Sequence, residues 1–409
     1  MSAHAKASLV VSSWYGDLGG GELRLLDHVR NTRFPKAQIR ALLNAPGDLD
    51  LALRELGVRT HVIRWKAGQS WLARQVHWYG AKLRATLRLL GTPRGVFVAN
   101  TFPDLETTGR IAAALGWTVV WRARADTFTE VHQWPPKRLH ELVRFLNRRV
   151  ARIVATTHYE ARLMRAAGVA PDKIFVVHNG VDLDRYADES AGTALRAEAG
   201  WGAGEFVIAF VARMVPQKGW EVLFEAVAQA RAAGVPVKVL AAGDTTLMDG
   251  DPDAYRRSLR DQASRLGLAD HIRFLGFRSD VFAVMKAADA FVLASRIEPF
   301  GTTVIEAMAA GRAVIASDLP GPRESVIDEK TGLFFPAGEA EALAAAMGRL
   351  AADRELCWRL GQAGRERAER VFDLQHNIDE LDCLCTDLAT TTWQSTDCES
   401  RKNNDDREK

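Results

Sequence analysis

With 409 residues, 47% of them apolar and 26% charged, the chain has the balance of a globular protein long enough for two domains of ordinary size. A formal net charge of +3 excludes the strong basic excess of a nucleic-acid-binding protein, and no apolar run reaches the length of a membrane span. The four cysteines, Cys357, Cys383, Cys385 and Cys398, lack both zinc-finger spacing and a histidine cluster, so reduced thiols are expected and a disulfide framework is not.

The N-terminus lacks the long apolar core of a signal peptide, which makes the cytoplasm the expected location. Residues 7–13 form a short apolar strand. The turn Trp14-Tyr15-Gly16-Asp17-Leu18-Gly19-Gly20-Gly21-Glu22 follows, and then a helix with Leu23, Leu26 and Val29 on one face. A glycine-rich turn between a strand and a helix lets a backbone approach a diphosphate closely, and it also serves as a plain tight turn. Strand and helix signals then alternate, with strands at 38–43, 58–63, 95–99, 118–121, 152–156 and 173–178. Such alternation calls for parallel strands joined by crossover helices, hence a doubly wound sheet. It ends at His178-Asn179-Gly180-Val181-Asp182, where Asn-Gly marks a sharp turn.

Charge is unevenly spread over this half. Between Glu55 and Asp104 there is no acidic residue, but there are Arg59, Arg64, Lys66, Arg74, Lys82, Arg84, Arg88 and Arg94, interleaved with Trp65, Trp71, Trp78 and Tyr79. Lys137, Arg138, Arg144, Arg148, Arg149 and Arg152 add a second basic stretch. Cations mixed with aromatics suit a peripheral contact with an anionic membrane, at about 1 kcal/mol per Lys or Arg. A solvated helix face with its tryptophans turned into the core accounts for the same pattern, and both readings stay open.

After an Ala/Gly-rich connector the alternation restarts, with strands at 206–211, 237–242, 272–275, 288–294 and 313–317. The loop Val211-Ala212-Arg213-Met214-Val215-Pro216-Gln217-Lys218-Gly219 leaves the first of these strands with two cations. They are either a clamp for a diphosphate or ordinary surface charges. Asp251-Pro252-Asp253 imitates a cation-binding Asp-x-Asp, but its place before a helix is explained by capping, so no metal is expected. Next, the apolar run Ala290-Phe291-Val292-Leu293 leads into Ala294-Ser295-Arg296-Ile297-Glu298-Pro299-Phe300-Gly301-Thr302-Thr303-Val304-Ile305-Glu306. This unit reads as strand, loop, helix. The N–H groups of Phe300, Gly301, Thr302 and Thr303 then lie where a helix presents its positive dipole end to a phosphate. Glu298 and Glu306 flank that site and suit the hydroxyls of a sugar better than a phosphate. The unit therefore reads as a nucleotide-sugar site.

At these residues the sequence resembles the family 4 retaining glycosyltransferases. The resemblance covers the second half strongly and the first half loosely. It implies the GT-B fold, α/β with two Rossmann-like doubly wound domains facing across a cleft. It also implies roles: Glu298 for the donor sugar, Glu306 for the ribose, and Arg213 with Lys218 for the donor phosphates. Gly19 and Gly20 match the Gly-Gly-x-Glu turn that faces those phosphates. Asn179 and Gly180 match the motif at the domain boundary, Arg273 to Phe277 matches the strand that reads the base, and Gly243 closes the strand beside it. The turn Gly321-Pro322-Arg323-Glu324 is assigned a structural role only. The sequence departs from the family where Arg124 stands at the position of a histidine that contacts the reacting centre. Arg124 and Asp126 are then candidates for holding the acceptor, and Arg124 cannot act as a base. In the front-side attack that the family implies, the departing phosphate accepts the proton itself.

The expected organisation is an acceptor-binding domain over residues 1–182, a connector over 183–204 and a nucleotide-sugar domain over 205–371. A helix over 372–388, with an apolar stripe of Phe372, Leu374, Ile378, Leu381, Leu384 and Leu388, crosses back to the first domain, and a disordered tail occupies 389–409. The expected function is transfer of a sugar from a nucleoside-diphosphate sugar, with no other cofactor, to a lipid-linked or cell-surface glycan acceptor. The location follows as cytoplasmic, with the inner face of the cell membrane as the peripheral variant. Two alternatives stand beside it. One is a non-catalytic sugar-nucleotide-binding homologue, suggested by Arg124. The other is a nicotinamide-dependent oxidoreductase, which lacks its glycine fingerprint here.

Overall fold

The alternating apolar residues of each predicted strand need cover on both faces, which parallel sheets receive from their crossover helices. The computed structural model describes residues 8–63, 80, 83, 95–123, 128, 134–202, 204–245 and 252–389. The chain divides into two compact units. One comprises residues 1–179 with 375–409, and the other Gly180–Leu374.

The first unit contains β1 (Leu9–Ser13), β2 (Ile39–Leu43), β3 (Arg59–Val62), β4 (Val96–Ala99), β5 (Thr118–Ala123), β6 (Val150–Ala155) and β7 (Ile174–Val176). They form one sheet in the order β3-β2-β1-β4-β5-β6-β7, and every pairing is parallel. The two-residue period divides its core. Val10, Phe97, Val119, Trp121 and Ile153 pack on one face, and Leu9, Val11, Val96, Val98, Val120 and Val154 on the other. Leu381, Leu384 and Cys385 of the helix Leu374–Ala389 complete the second of these faces.

The second unit contains β8 (Phe206–Val211), β9 (Val237–Ala242), β10 (Ile272–Gly276), β11 (Ala290–Leu293), β12 (Ala313–Ser317) and β13 (Gly332–Phe335), in the order β10-β9-β8-β11-β12-β13, again all parallel. Phe206, Ile208, Val239 and Val292 fill one side of the sheet, and Val207, Leu240, Phe291 and Val314 the other.

Three sequence expectations need correction. β13 was not foreseen, although Gly332-Leu333-Phe334-Phe335 is a short apolar run before a proline. Residues 183–204 are not a plain connector. They hold a turn of helix at Leu183–Tyr186 and the helix Ser190–Glu198, with Tyr186, Leu195 and Ala199 in the core of the second unit. Phe372 does not belong to the final helix, which starts at Leu374. It is fully buried against Phe300 in the second unit, ring centroids 6.0 Å apart. The tail over 390–409 and most of the acid-free interval lie outside the described residues. Among the described residues no helix is long and apolar enough to cross a membrane.

Candidate nucleotide-sugar site

Five neighbouring strands of the second sheet deliver candidate residues just past their carboxyl ends, where ligands of open α/β sheets bind. In spatial order β10 delivers Phe277, β9 Gly243, β8 Arg213 with Lys218, β11 Glu298, and β12 Gly321.

The loop after β8 is pinned from several directions. The Met214 N–H donates to the Asp244 carbonyl at 3.0 Å, and the Trp220 indole N–H donates to the Arg213 carbonyl at 2.9 Å. A Cβ on Gly243 would lie 1.8 Å from the Ala212 carbonyl oxygen, so the residue beside this loop must be glycine. The same holds at Gly219, where φ is +70° and a Cβ would meet the Ala294 carbonyl oxygen at 2.0 Å. That contact, with the Arg296 N–H donating to the Gln217 carbonyl at 2.8 Å, brings the β8 and β11 loops together.

The two cations consequently differ. Arg213 is exposed, and among the described residues its guanidinium makes no hydrogen bond or ion pair. Lys218 is tied down, its Nζ donating to Glu298 Oε2 at 2.7 Å with side chains only 21% and 11% exposed. The Ser295 hydroxyl donates to the same oxygen at 3.0 Å. Sequence reasoning passed over Ser295, whose only signal was its place three residues before Glu298. It also undervalued Gly321, where a Cβ would fall 2.2 Å from the Glu298 carbonyl oxygen.

Past Glu298, Gly301 turns through a left-handed conformation (φ +89°) and caps the helix Thr302–Ala309 without a side-chain acceptor. Its first N–H groups are those of Thr302 and Thr303, both half-buried, and Glu306 lies within the same helix. The Phe300 side chain, in contrast, is core, and only its backbone remains for a ligand. At the far end of the row Phe277 is 78% exposed after the left-handed Gly276, whose carbonyl accepts from the Gly243 N–H at 2.8 Å. Asp244 beside it accepts from Arg256 Nη2 at 2.6 Å. Pro252 and Asp253 open the helix Pro252–Arg265, while Asp251 lies outside the described residues.

In the first unit, Gly19 precedes the helix Gly20–Asn31, and the turn is fixed by a buried hydrogen bond from Ser13 Oγ to Glu22 Oε1 at 2.9 Å. Among the described residues a Cβ on Gly20 would meet nothing within 4 Å. Asn179 ends the first stretch of this unit. Gly180 opens the second and is explained by packing, since a Cβ would sit 2.5 Å from the Leu374 Cα. Arg124 and Asp126 lie outside the described residues. Arg122, earlier on β5, is drawn inward. Burial lowers its guanidinium to about 10, and Nη1 has no hydrogen-bond partner among the described residues.

Two cations, a helix N-terminus opened by a glycine and a carboxylate on adjoining loops are chemically suited to a diphosphate carrying a polyol. Comparison with known proteins points the same way. The profile of the family described as Glycosyltransferase Family 4 matches residues 19–185, and that of Glycosyl transferases group 1 matches residues 193–367. The D-inositol 3-phosphate glycosyltransferase of Saccharomonospora viridis is 36% identical over 237 residues, 56% of this chain and 54% of that one. The same-named protein of Nocardia farcinica is 37% identical over 215 residues, 51% and 47% of the two chains. The chain thus spans about half the length of the curated relatives it matches. Among solved structures, Anabaena HepE in complex with UDP and glucose superposes with a TM-score of 0.81 at 24% identity, covering 93% of this chain and all of that one. Sucrose-phosphate synthase from Thermosynechococcus elongatus gives 0.74 at 23%, with 93% and 98% covered. These likenesses establish the GT-B arrangement of two parallel-sheet α/β domains. Since the two family matches between them take in residues 19–185 and 193–367, the chain belongs to the family 4, group 1 glycosyltransferases.

Proposed function

We propose that the chain transfers a sugar, with retention of configuration and without a metal ion, from a nucleoside-diphosphate sugar to an acceptor hydroxyl. The observation that carries this reading is the junction of the β8 and β11 loops, where the loop that holds the exposed Arg213 also supplies the Lys218–Glu298 pair, with the helix Thr302–Ala309 following Glu298. Arg213, Lys218 and the Thr302 and Thr303 N–H groups take the diphosphate, Glu306 accepts from the ribose hydroxyls, and Glu298 accepts from the sugar. The bond from the anomeric carbon to the phosphate oxygen breaks as the acceptor oxygen bonds on the same face. The acceptor's proton passes to the departing phosphate, so no histidine is needed at position 124. Charge on the leaving diphosphate is met by the two cations, which supports a metal-free reaction.

The acceptor is anionic on this reading. The helix Pro136–Arg149 buries Leu142 and Leu146 and exposes Lys137, Arg138, Arg144, Arg148 and Arg149. That face suits a lipid-linked or cell-surface glycan at the cytoplasmic side of an anionic membrane. A phosphorylated polyol is the second reading, favoured by the relatives' name. A thermal-shift screen of nucleoside diphosphates and their sugar conjugates tests the donor half, since a ligand at about 100 times its dissociation constant stabilises by about 2.7 kcal/mol. We expect one base to stabilise the protein and Glu306→Ala to abolish most of that shift. No response to any nucleotide would refute the proposal.

A further inference from the structure

Glu298 uses its two carboxylate oxygens unequally. Oε2 accepts from both Lys218 Nζ at 2.7 Å and Ser295 Oγ at 3.0 Å, whereas Oε1 makes no hydrogen bond among the described residues. Ser295 is 1% exposed, two residues past the end of β11, and donates to nothing else among the described residues. The backbone below Glu298 is also held, because Gly321 lies so close that a Cβ would come within 2.2 Å of the Glu298 carbonyl oxygen and 2.5 Å of the Pro299 carbonyl carbon. A carboxylate on a loop ordinarily samples several rotamers, and losing that freedom on binding weakens a ligand. Here one oxygen is anchored from two sides before any ligand arrives.

We infer that Ser295 is a positioning residue for the donor sugar: with Lys218 it anchors Glu298 Oε2, so that Oε1 alone is presented to a sugar hydroxyl. The inference rests on the nucleotide-sugar reading above and deepens it. Lys218 by itself would fix the charge but not the plane of the carboxylate, since an ammonium accepts many approach angles. The serine hydroxyl, buried two residues past the strand β11, supplies the second point that sets the orientation. A role confined to Glu298 separates the sugar from the rest of the donor. Removing the hydroxyl should be felt by a nucleotide that carries a sugar and not by the nucleotide alone.

The test is calorimetric binding of UDP, GDP and ADP and of their glucose, galactose, mannose and N-acetylglucosamine conjugates, where such exist, to the full chain. Ser295→Ala and Glu298→Ala are measured singly and together. We expect Ser295→Ala to leave the free diphosphate within about twofold and to weaken the sugar nucleotide about tenfold, the share of one hydrogen bond to a charged group. In the Glu298→Ala background Ser295→Ala should have no further effect, because the residue acts through that carboxylate. Equal weakening of free and sugar-bearing nucleotide, or a loss that persists without Glu298, would overturn the positioning role in favour of a merely structural one. A silent Ser295→Ala in a protein that binds the sugar nucleotide well would overturn it too. Failure of the unmodified chain to bind any of these ligands overturns the nucleotide-sugar reading itself, a result distinguishable from the other two.

Discussion

Arg213 and Lys218 leave the same strand five positions apart, yet among the described residues one has no ion pair and the other is locked to Glu298. If both meet a diphosphate whose charge grows as it departs, their removal acts mainly on the transition state. Arg213→Ala should lower kcat about a hundredfold with little change in KM. Lys218→Ala should lower kcat at least as much and also raise KM, because Glu298 is left with Ser295 alone. Steady-state release of nucleoside diphosphate measures both, and a variant altered only in KM would show that the cation holds ground state and transition state alike. Glycines allow a second comparison at this scale. Gly219 and Gly234 both have φ in the left-handed region, at +70° and +82°, but only Gly219 faces an atom that a Cβ would strike. Gly234→Ala should therefore cost about 1 kcal/mol and Gly219→Ala about 3 kcal/mol or more in thermal unfolding. Equal losses would mean that the contact with Ala294 relaxes freely. Glu298, Glu306, Arg213 and Lys218 are all legible in the sequence because motif spacing carries them. Ser295 and Gly321 are not, since their importance lies in contacts that exist only once the loops after β8, β11 and β12 meet.

Among elements, apolar runs carry most of the reading. The seven strands of the first sheet and five of the second follow from apolar runs bounded by turn residues. The helix Ser190–Glu198 escapes because Ala, Gly, Ser and Glu dominate it. Tertiary contacts stabilise it instead: Gly192 lies against the Lys286 backbone, and the Lys286 Nζ donates to Glu189 Oε1 at 2.6 Å. The helix Leu374–Ala389 has an equivalent fastening. Its Asp382 is buried and accepts from His28 Nε2 at 2.9 Å, from the Thr32 hydroxyl at 2.7 and 2.8 Å, and from the Arg33 N–H at 2.7 Å. Burial alone would raise this carboxyl. The hydrogen bonds and the charge of His28 outweigh it, and Asp382 is held below the usual carboxylate range. A depressed carboxyl contributes stability above its unfolded value and loses it as pH falls through the folded one. Asp382→Asn, which puts an amide donor among three donors, should cost about 1–3 kcal/mol near pH 7. The gap in Tm between the two proteins should close as pH drops below the ordinary carboxylate range. A gap that stays constant into acid would mean that the charge of Asp382 is not what fastens the helix.

At the scale of the whole molecule, the chain leaves the first unit at Asn179 and returns to it at Gln375. The stripe of Ile378, Leu381, Leu384 and Leu388 foretells an apolar face for the last helix, because a 3.6-residue period survives without knowledge of what it packs on. Phe372 looks like part of that stripe and is not, because two residues of local sequence cannot say which of two cores a phenylalanine joins. The difference sets up a test by shortening the chain. Ending it after Ala389 removes the polar stretch that its composition marks as a dispensable tail, and fold and activity should persist. Ending it after Leu374 removes Leu381, Leu384 and Cys385 from the face built by Leu9, Val11, Val120 and Val154. Burial of the two leucines alone is worth about 1.5–3 kcal/mol each. The first unit should lose stability while the second, whose core is complete without them, keeps its own unfolding transition. Ending it after Val371 also removes Phe372 from its place against Phe300, so the second unit's transition should fall as well. Calorimetric unfolding of the three shortened proteins reads both units at once. If the cuts after Leu374 and Val371 gave the same second transition, Phe372 would not be the core residue it is assigned to be. An unchanged first transition after the Leu374 cut would mean that the sheet's apolar face does not depend on the final helix for its cover.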